Sequence, residues 1–288
     1  RVVKSDMAAS IGEMKMDYQL QGQVAVVTGG GGGIGGGISR AMAKAGAKIL
    51  LVDKNDSYAR ETESLIKAEG GIVQTLICDI TELQSVARVA DALESFSAGQ
   101  VDILVNNVGD FISAGLFTDT DEDNWEKLYN INLLHVFRYT RAFLPKMLVR
   151  GKGSIINLSS VEAYRGIPGN VVYAAFKGAV SQFTRALAIE VGSQGVRVNA
   201  IAPDVTQSPQ LPYDKWVSAD EQSMIPSWVP VGRFGTPEDH GKVAVFLASD
   251  QSTFITGHTI PVDGGTLASS GWFKKEGEMS WTNRPEKP

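Results

Sequence analysis

Eight of the nine residues from Gly29 to Gly37 are glycine, and no other feature restricts the fold of this chain as strongly. The run directly follows the apolar stretch "VAVVT" and leads into a helical pattern in which Ile38, Ala41 and Met42 share one face. A flexible linker would not sit between two packed elements. Between a strand and a helix, glycine permits a tight turn and lets the backbone approach a phosphate at the helix N-terminus. The stretch therefore predicts a dinucleotide-binding turn.

Short β-branched stretches alternate with longer helical patterns along the rest of the chain. The stretches read "VAVVT", "KILLVD", "IVQTLICD", "VDILVNN", "SIINLSS", "VRVNAIA" and "TIPVDGG". They are continuously apolar, as expected of parallel strands that helices cover on both faces. We predict an α/β fold: a single-domain Rossmann fold with a doubly wound, seven-stranded parallel sheet flanked by helices.

The predicted domain covers residues 21–265, after an N-terminal extension (1–20) and before a C-terminal tail (266–288). Within the domain, residues 204–235 form an irregular, proline-rich stretch between the sixth strand and the next helix. A long loop in a compact domain is usually functional or disordered. This one carries large apolar side chains, including Trp216, so we interpret it as a substrate lid.

The composition favours a small-molecule partner. The net charge is −5 and there is no basic tract, which argues against nucleic acid and anionic membrane surfaces as partners. No stretch approaches the roughly 20 apolar residues of a membrane span, so we expect a cytoplasmic protein. The one cysteine, Cys78, and three scattered histidines give no internal disulfide and no metal-ligand spacing. We therefore predict no metal site and a buried Cys78.

An acidic residue ends the second predicted strand, in "LLVDK". At this place a carboxylate can accept hydrogen bonds from both ribose hydroxyls of an adenosine and would repel a 2′-phosphate. Asp53 thus predicts NAD as the cofactor, with NADP less favoured. The neighbouring Lys54 would offset part of that repulsion.

The stretch "YAAFK" places Tyr173 and Lys177 four residues apart, on one face of a predicted helix. A free tyrosine has a pKa near 10, too high for a base at neutral pH. A nearby ammonium and the positive charge of an oxidised nicotinamide would favour the phenolate. Tyr173 could then take the proton from an alcohol.

With these motifs, the sequence resembles the short-chain dehydrogenase/reductase family from about Gln23 to Gly265. The resemblance rests on the glycine pattern from Thr28 to Gly35, on "NNVG", "YAAFK", "VRVNAIAP", "GRFGTPED" and "ITGHTIPVDGG". It implies hydride transfer between a nicotinamide and a carbinol or carbonyl carbon.

The resemblance also implies four catalytic residues: Asn132, Ser160, Tyr173 and Lys177. In the family pattern, Tyr173 is the acid/base and Ser160 holds the substrate oxygen. Lys177 lowers the pKa of Tyr173 and binds the nicotinamide ribose. Asn132 holds a water that links Lys177 to solvent.

The implied contact residues form two sets. Those for the cofactor are Gly29, Gly33, Ile34, Gly35, Asp53, Asp79, Ile80, Asn106, Asn107, Gly109, Tyr173 and Lys177. Those for the substrate are Ser160, Glu162 and Tyr173. Two residues depart from the family pattern: Val108 replaces an alanine, and Asp204 replaces a glycine. The second departure leaves open whether Thr206 or Ser208 contacts the nicotinamide amide.

Further pocket candidates are mostly bulky, namely Phe111, Tyr164, Trp216, Met224 and Trp228. They favour an NAD-dependent oxidoreductase that interconverts a bulky, mainly apolar secondary alcohol and its ketone, whether steroid-like, terpenoid or aromatic. One alternative is an NADP-dependent reductase of 3-oxoacyl thioesters. Another is an NAD(H)-sensing binding protein, which would not need all four catalytic residues. The helix carrying Tyr173 is apolar or small almost all round, so we expect a homotetramer first and a dimer second.

Overall fold

The computed structural model describes residues 20–112, 114–209, 211–269, 271, 273–274 and 281–282. Seven parallel strands form one sheet in the order β3-β2-β1-β4-β5-β6-β7. The strands are Val24–Thr28 (β1), Lys48–Asp53 (β2), Ile72–Ile77 (β3), Ile103–Asn106 (β4), Gly153–Leu158 (β5), Val196–Pro203 (β6) and Thr259–Val262 (β7). The predicted seven-stranded parallel sheet is confirmed. The predicted N-terminal extension lies outside the described residues except for Leu20, as does most of the tail.

Helices cover both faces of the sheet. They are Gly33–Lys44 (α1), Asp56–Ala68 (α2), Ser85–Ser97 (α3), Glu122–Tyr129 (α4), His135–Arg150 (α5), Val171–Val191 (α6), Tyr213–Trp216 (α7), Ala219–Trp228 (α8) and Pro237–Ala248 (α9). Helices α1, α2 and α9 pack on one face, and α3, α5 and α6 pack on the other. In the tail, Phe273–Lys274 and Trp281–Thr282 pair as two short antiparallel strands. Among the described residues, none of the helices has both the length and the apolarity to cross a bilayer.

Strand β1 shows why the strands are continuously apolar. Ala25 and Val27 point into the core beneath α1, and Val24 and Val26 point into the opposite core beneath α3 and α5. Successive side chains of a strand alternate between faces, so two covered faces require apolar residues at every position. Cys78, one residue beyond β3, is buried as predicted.

The strand order determines where a ligand can bind. Strands β2 and β3 lie on one side of β1, and β4 to β7 lie on the other, so the direction in which strands are added reverses at β1. In open α/β sheets, ligands bind outside the carboxyl ends of the strands at this switch point. The glycine turn follows β1, Asp53 ends β2, and "NNVG" begins at the end of β4.

The predicted lid is more regular than its sequence suggests, because it contains α7 and α8. The start of α8 is stabilised by a capping box, in which Ser218 and Glu221 bond each other's backbone N–H groups. An isolated parallel bridge joins Thr206 to Gly235 and holds the two ends of the lid together. The lid segment therefore starts and ends at the same place, near the carboxyl end of the sheet.

Candidate active site

A cleft of about 680 Å³ follows the carboxyl ends of the strands. It extends from the glycine turn and Asp53 at one end to Ser160, Tyr173 and the lid at the other. The same space is thus bordered by Ser160, Tyr173 and all the predicted cofactor residues except Asn106 and Lys177.

The glycine turn has a backbone that only glycine adopts without strain. Gly33 has a φ of +51°, and a Cβ on Gly35 would overlap the carbonyl oxygen of Gly29. Helix α1 begins at Gly33 beside the cleft, so its unpaired N–H groups and positive dipole end can receive an anion. The turn fits the pyrophosphate of a dinucleotide.

Asp53 lies against this turn. Its carboxylate accepts one hydrogen bond from the Gly31 N–H and another from the Asn55 N–H, each at 2.9 Å. These bonds fix a negative charge at the end of the cleft where an adenosine ribose would lie if the pyrophosphate occupied the turn. Lys54 lines the cleft next to it.

Asp79 and Ile80, which the resemblance assigns to the cofactor, line the same end of the cleft. The Asp79 carboxylate accepts hydrogen bonds from the backbone N–H and the hydroxyl of Thr81, at 2.9 and 2.7 Å. Burial acts to raise the pKa of Asp79, but the Thr81 hydrogen bonds and Lys54 outweigh it, so the net pKa is lowered. The group is therefore charged at neutral pH and rigidly held.

The two asparagines of "NNVG" have different surroundings. Asn107 lines the cleft and donates to the carbonyls of Thr28 and Gly29, which ties the end of β4 to the glycine turn. Asn106 does not border the cleft. Its side chain is fully buried and donates to the Thr140 hydroxyl on α5 and to the Asn157 side-chain oxygen on β5. These contacts supply buried partners for a buried amide, and a contact between Asn106 and the cofactor stays a prediction.

Three of the predicted catalytic residues converge at the far end. Ser160 follows β5, and Tyr173 and Lys177 lie on α6. The Lys177 ammonium is 5.6 Å from the centre of the Tyr173 ring and donates to the Leu158 carbonyl at 2.9 Å. Ser160 accepts from the Glu162 N–H, which holds its hydroxyl in place.

The electrostatics of this end favour a protonated tyrosine. Burial raises the pKa of Tyr173 to about 12; a hydrogen bond with Ser160 opposes this, and the carboxylates of Glu162, Asp110 and Asp204 add to it. Burial lowers the pKa of Lys177 to about 8. The predicted lowering of the Tyr173 pKa by Lys177 is outweighed by desolvation and by the three negative charges.

Asn132 is fully buried in a π-helical turn that joins α4 to α5. Its side chain accepts from the Asp110 N–H and donates to the carbonyls of Asp110 and Leu128. A Cβ on Gly109 would lie 2.5 Å from the Lys177 ammonium and 3.0 Å from the Asn132 amide oxygen. The absent side chain at Gly109 thus lets Asn132 and Lys177 come together against the "NNVG" loop.

His135 is a site residue that the sequence motifs did not indicate. It is fully buried, and its Nε2 lies 3.0 Å from the Val108 carbonyl oxygen. Burial and the Lys177 charge lower the pKa of His135 to about 3, so the ring is neutral and donates to that carbonyl. The only available signal was its position three residues after Asn132, which is not distinctive.

The substrate end combines apolar walls with acids. Phe111, Ile167, Leu211, Tyr213 and Trp216 supply large apolar surface there. Glu162, as predicted, and also Asp110 and Asp204 supply carboxylates.

Three bulky candidates lie elsewhere. Tyr164 borders a separate hollow with Arg185 and His258, Met224 is mostly exposed, and Trp228 packs edge-on against Phe234.

The lid root holds both candidates for the nicotinamide amide. Thr206 is buried, with its hydroxyl bonded to the Asp204 carbonyl and to His240. Ser208 lies beside Gly33, at the pyrophosphate end of the cleft. Because both border the cleft, the choice between them remains a prediction.

A model of the enoyl-(acyl carrier protein) reductase group matches residues 29–266. The chain belongs to the short-chain dehydrogenase/reductase family. Two relatives match this chain over almost their whole lengths. 2-(S)-Hydroxypropyl-CoM dehydrogenase 3 of Xanthobacter autotrophicus is 35% identical, covering 88% of this chain and 100% of the relative. 3-Oxoacyl-(acyl-carrier-protein) reductase of Thermotoga maritima is 35% identical, covering 86% and 99%.

Solved structures of dehydrogenases also match the fold of this chain over almost their whole lengths. A candidate NAD(P)-dependent gluconate 5-dehydrogenase from Beutenbergia cavernae, with NADP at low occupancy, has 36% identity and a TM-score of 0.80, covering 88% of this chain and 100% of that one. A 7α-hydroxysteroid dehydrogenase with NADH and 7-oxo glycochenodeoxycholic acid has 32% identity and a TM-score of 0.80, covering 86% and 96%.

Family membership establishes the class of activity. The protein is a short-chain oxidoreductase that uses a nicotinamide dinucleotide and acts on secondary alcohols or ketones. Among the described residues, no group of three or more histidine, cysteine or acidic side chains is arranged to hold a metal ion.

Proposed function

We propose that the protein is an NAD-dependent dehydrogenase/reductase of a bulky, mainly apolar secondary alcohol and its ketone. The observation that carries this proposal is a single cleft with Asp53 fixed at one end and with Ser160 and Tyr173 at the other, where the Lys177 ammonium lies 5.6 Å from the Tyr173 ring. Cofactor choice and proton transfer are thereby assigned to opposite ends of one site.

A nicotinamide held in the cleft would supply or accept the hydride. Ser160 holds the substrate oxygen, and Tyr173 exchanges a proton with that oxygen. Lys177 binds the nicotinamide ribose and, with Asn132, connects Tyr173 to solvent through water. The apolar walls from Phe111 to Trp216 exclude water from the reacting carbon.

The NAD preference is tested by titrating the protein with NADH and with NADPH and following energy transfer from protein to nicotinamide fluorescence. We expect tighter binding of NADH, because the fixed Asp53 carboxylate repels a 2′-phosphate. Asp53→Asn should narrow the difference by improving NADPH binding. Tighter NADPH binding by the wild type would contradict the proposal and make Lys54 the residue to explain.

The runner-up is an NADP-dependent reductase of 3-oxoacyl thioesters. The Thermotoga maritima relative and the NADP in the Beutenbergia cavernae structure favour it. The 7α-hydroxysteroid dehydrogenase with NADH and the bulky residues of the lid support the leading proposal. Comparing turnover of a steroid alcohol with NAD and of a 3-oxoacyl thioester with NADPH separates the two.

A cytoplasmic location and an assembly of four, or else two, subunits remain predictions. So does the division into a domain at 21–265 with flanking extensions.

A further inference from the structure

Arg165 lies between two carboxylates that line the cleft, those of Glu162 and Asp204. Its guanidinium bonds Glu162 at 3.0 Å and Asp204 at 2.9 Å. Both acidic side chains are only 10% exposed, so solvent screens their charges weakly. The Asp204 carboxylate also accepts from the Thr266 hydroxyl. These contacts link the turn after Ser160 to the root of the lid.

The same two carboxylates line the substrate end of the cleft together with Tyr173. Together with Asp110 they favour the protonated phenol. The Lys177 ammonium lies 5.6 Å from the Tyr173 ring. Tyr213 lines the same cleft, and burial, Asp204 and Glu162 raise its pKa as well. A positive charge paired with Glu162 and Asp204 reduces their opposition to the phenolate that alcohol oxidation requires.

We propose that Arg165 is a positioning residue of the active site, whose guanidinium offsets part of the negative charge of Glu162 and Asp204 and thereby favours the phenolate of Tyr173. This inference rests on the proposed role of Tyr173. Asp204 places a negative charge at the root of the lid, beside the site. Arg165 pairs with this charge and with Glu162 at once, and among the described residues Arg165 is itself outside the cleft lining.

The test is the pH titration of Tyr173, read as tyrosinate absorbance of the NAD⁺-saturated protein. The chain has seven tyrosines, so the signal of Tyr173→Phe is subtracted. We expect Arg165→Met to raise the midpoint by about one pH unit, since it uncovers a buried negative charge. Glu162→Gln and Asp204→Asn should each lower the midpoint. Arg165→Lys keeps the charge and should stay near the wild type.

The double variant Glu162→Gln/Arg165→Met is the matched control. It removes one charge of each sign, so its midpoint should return close to that of the wild type. A structural role for Arg165 would instead make the double variant at least as disturbed as Arg165→Met. If Arg165→Met does not fold, the comparison of Glu162→Gln/Arg165→Met with Glu162→Gln still decides the matter, because removal of the guanidinium should raise the midpoint there as well.

Two failures are distinguishable in this design. If the midpoint is the same in all variants, or moves in the same direction in all of them, while Tyr173→Phe is inactive, only the proposed role of Arg165 is overturned. Undiminished turnover by Tyr173→Phe would instead overturn the proposed function.

Discussion

At the scale of single residues, the site depends on side chains that are buried in a defined protonation state. His135 is neutral in the folded protein because burial lowers its pKa to about 3, whereas an unfolded histidine titrates near 6.5. Below pH 6.5 the histidine is therefore protonated in the unfolded chain but not in the folded one. As the pH falls, the free energy of unfolding decreases by up to about 1.4 kcal/mol per pH unit. His135→Gln, which can still donate to Val108, should weaken this dependence. Urea unfolding at pH 7.5 and 5.5 measures it; an unchanged difference would contradict the assignment.

At the scale of elements, the lid is expected to shape the substrate pocket through α7 and not through α8. Trp216, at the end of α7, lines the cleft, whereas Met224 on α8 does not. Trp216→Ala should raise the KM for a bulky secondary alcohol by about tenfold, or 1.4 kcal/mol, without changing the Kd for NADH. Met224→Ala is the matched control and should change neither. Equal effects of the two variants on KM would show that the lid acts as a whole.

At the scale of the molecule, α6 is the element for which a second subunit is expected. The half-buried rings of Phe137 and Phe183 pack 4.8 Å apart between α5 and α6, and Tyr129 and Phe176 meet nearby. Continuous apolar surface of this kind commonly marks a protein interface. Light scattering after size exclusion should give about four times the 30.9 kDa chain mass, or else twice that mass. A monomer would contradict the prediction.

Much of this architecture could be predicted from the sequence, because it follows from patterns along the chain. Continuous apolar stretches indicated all seven strands, and the spacing of Tyr173 and Lys177 placed both on one helix face. Asn106 and Arg165 show where sequence reasoning ended. The burial of Asn106 against Asn157 depends on the pairing of β4 with β5, and the partners of Arg165 lie on segments that only the folded chain brings together.

The most direct test of the account is turnover by Tyr173→Phe at saturating NADH with a ketone that the wild type reduces. The account predicts an unchanged Kd for NADH, since only one hydroxyl is removed, and a loss of about 100- to 10,000-fold in kcat, the usual contribution of a positioned acid or base. Retention of wild-type turnover with normal binding would show that the proton comes from another group. The assignment of chemistry to this end of the cleft would then be wrong.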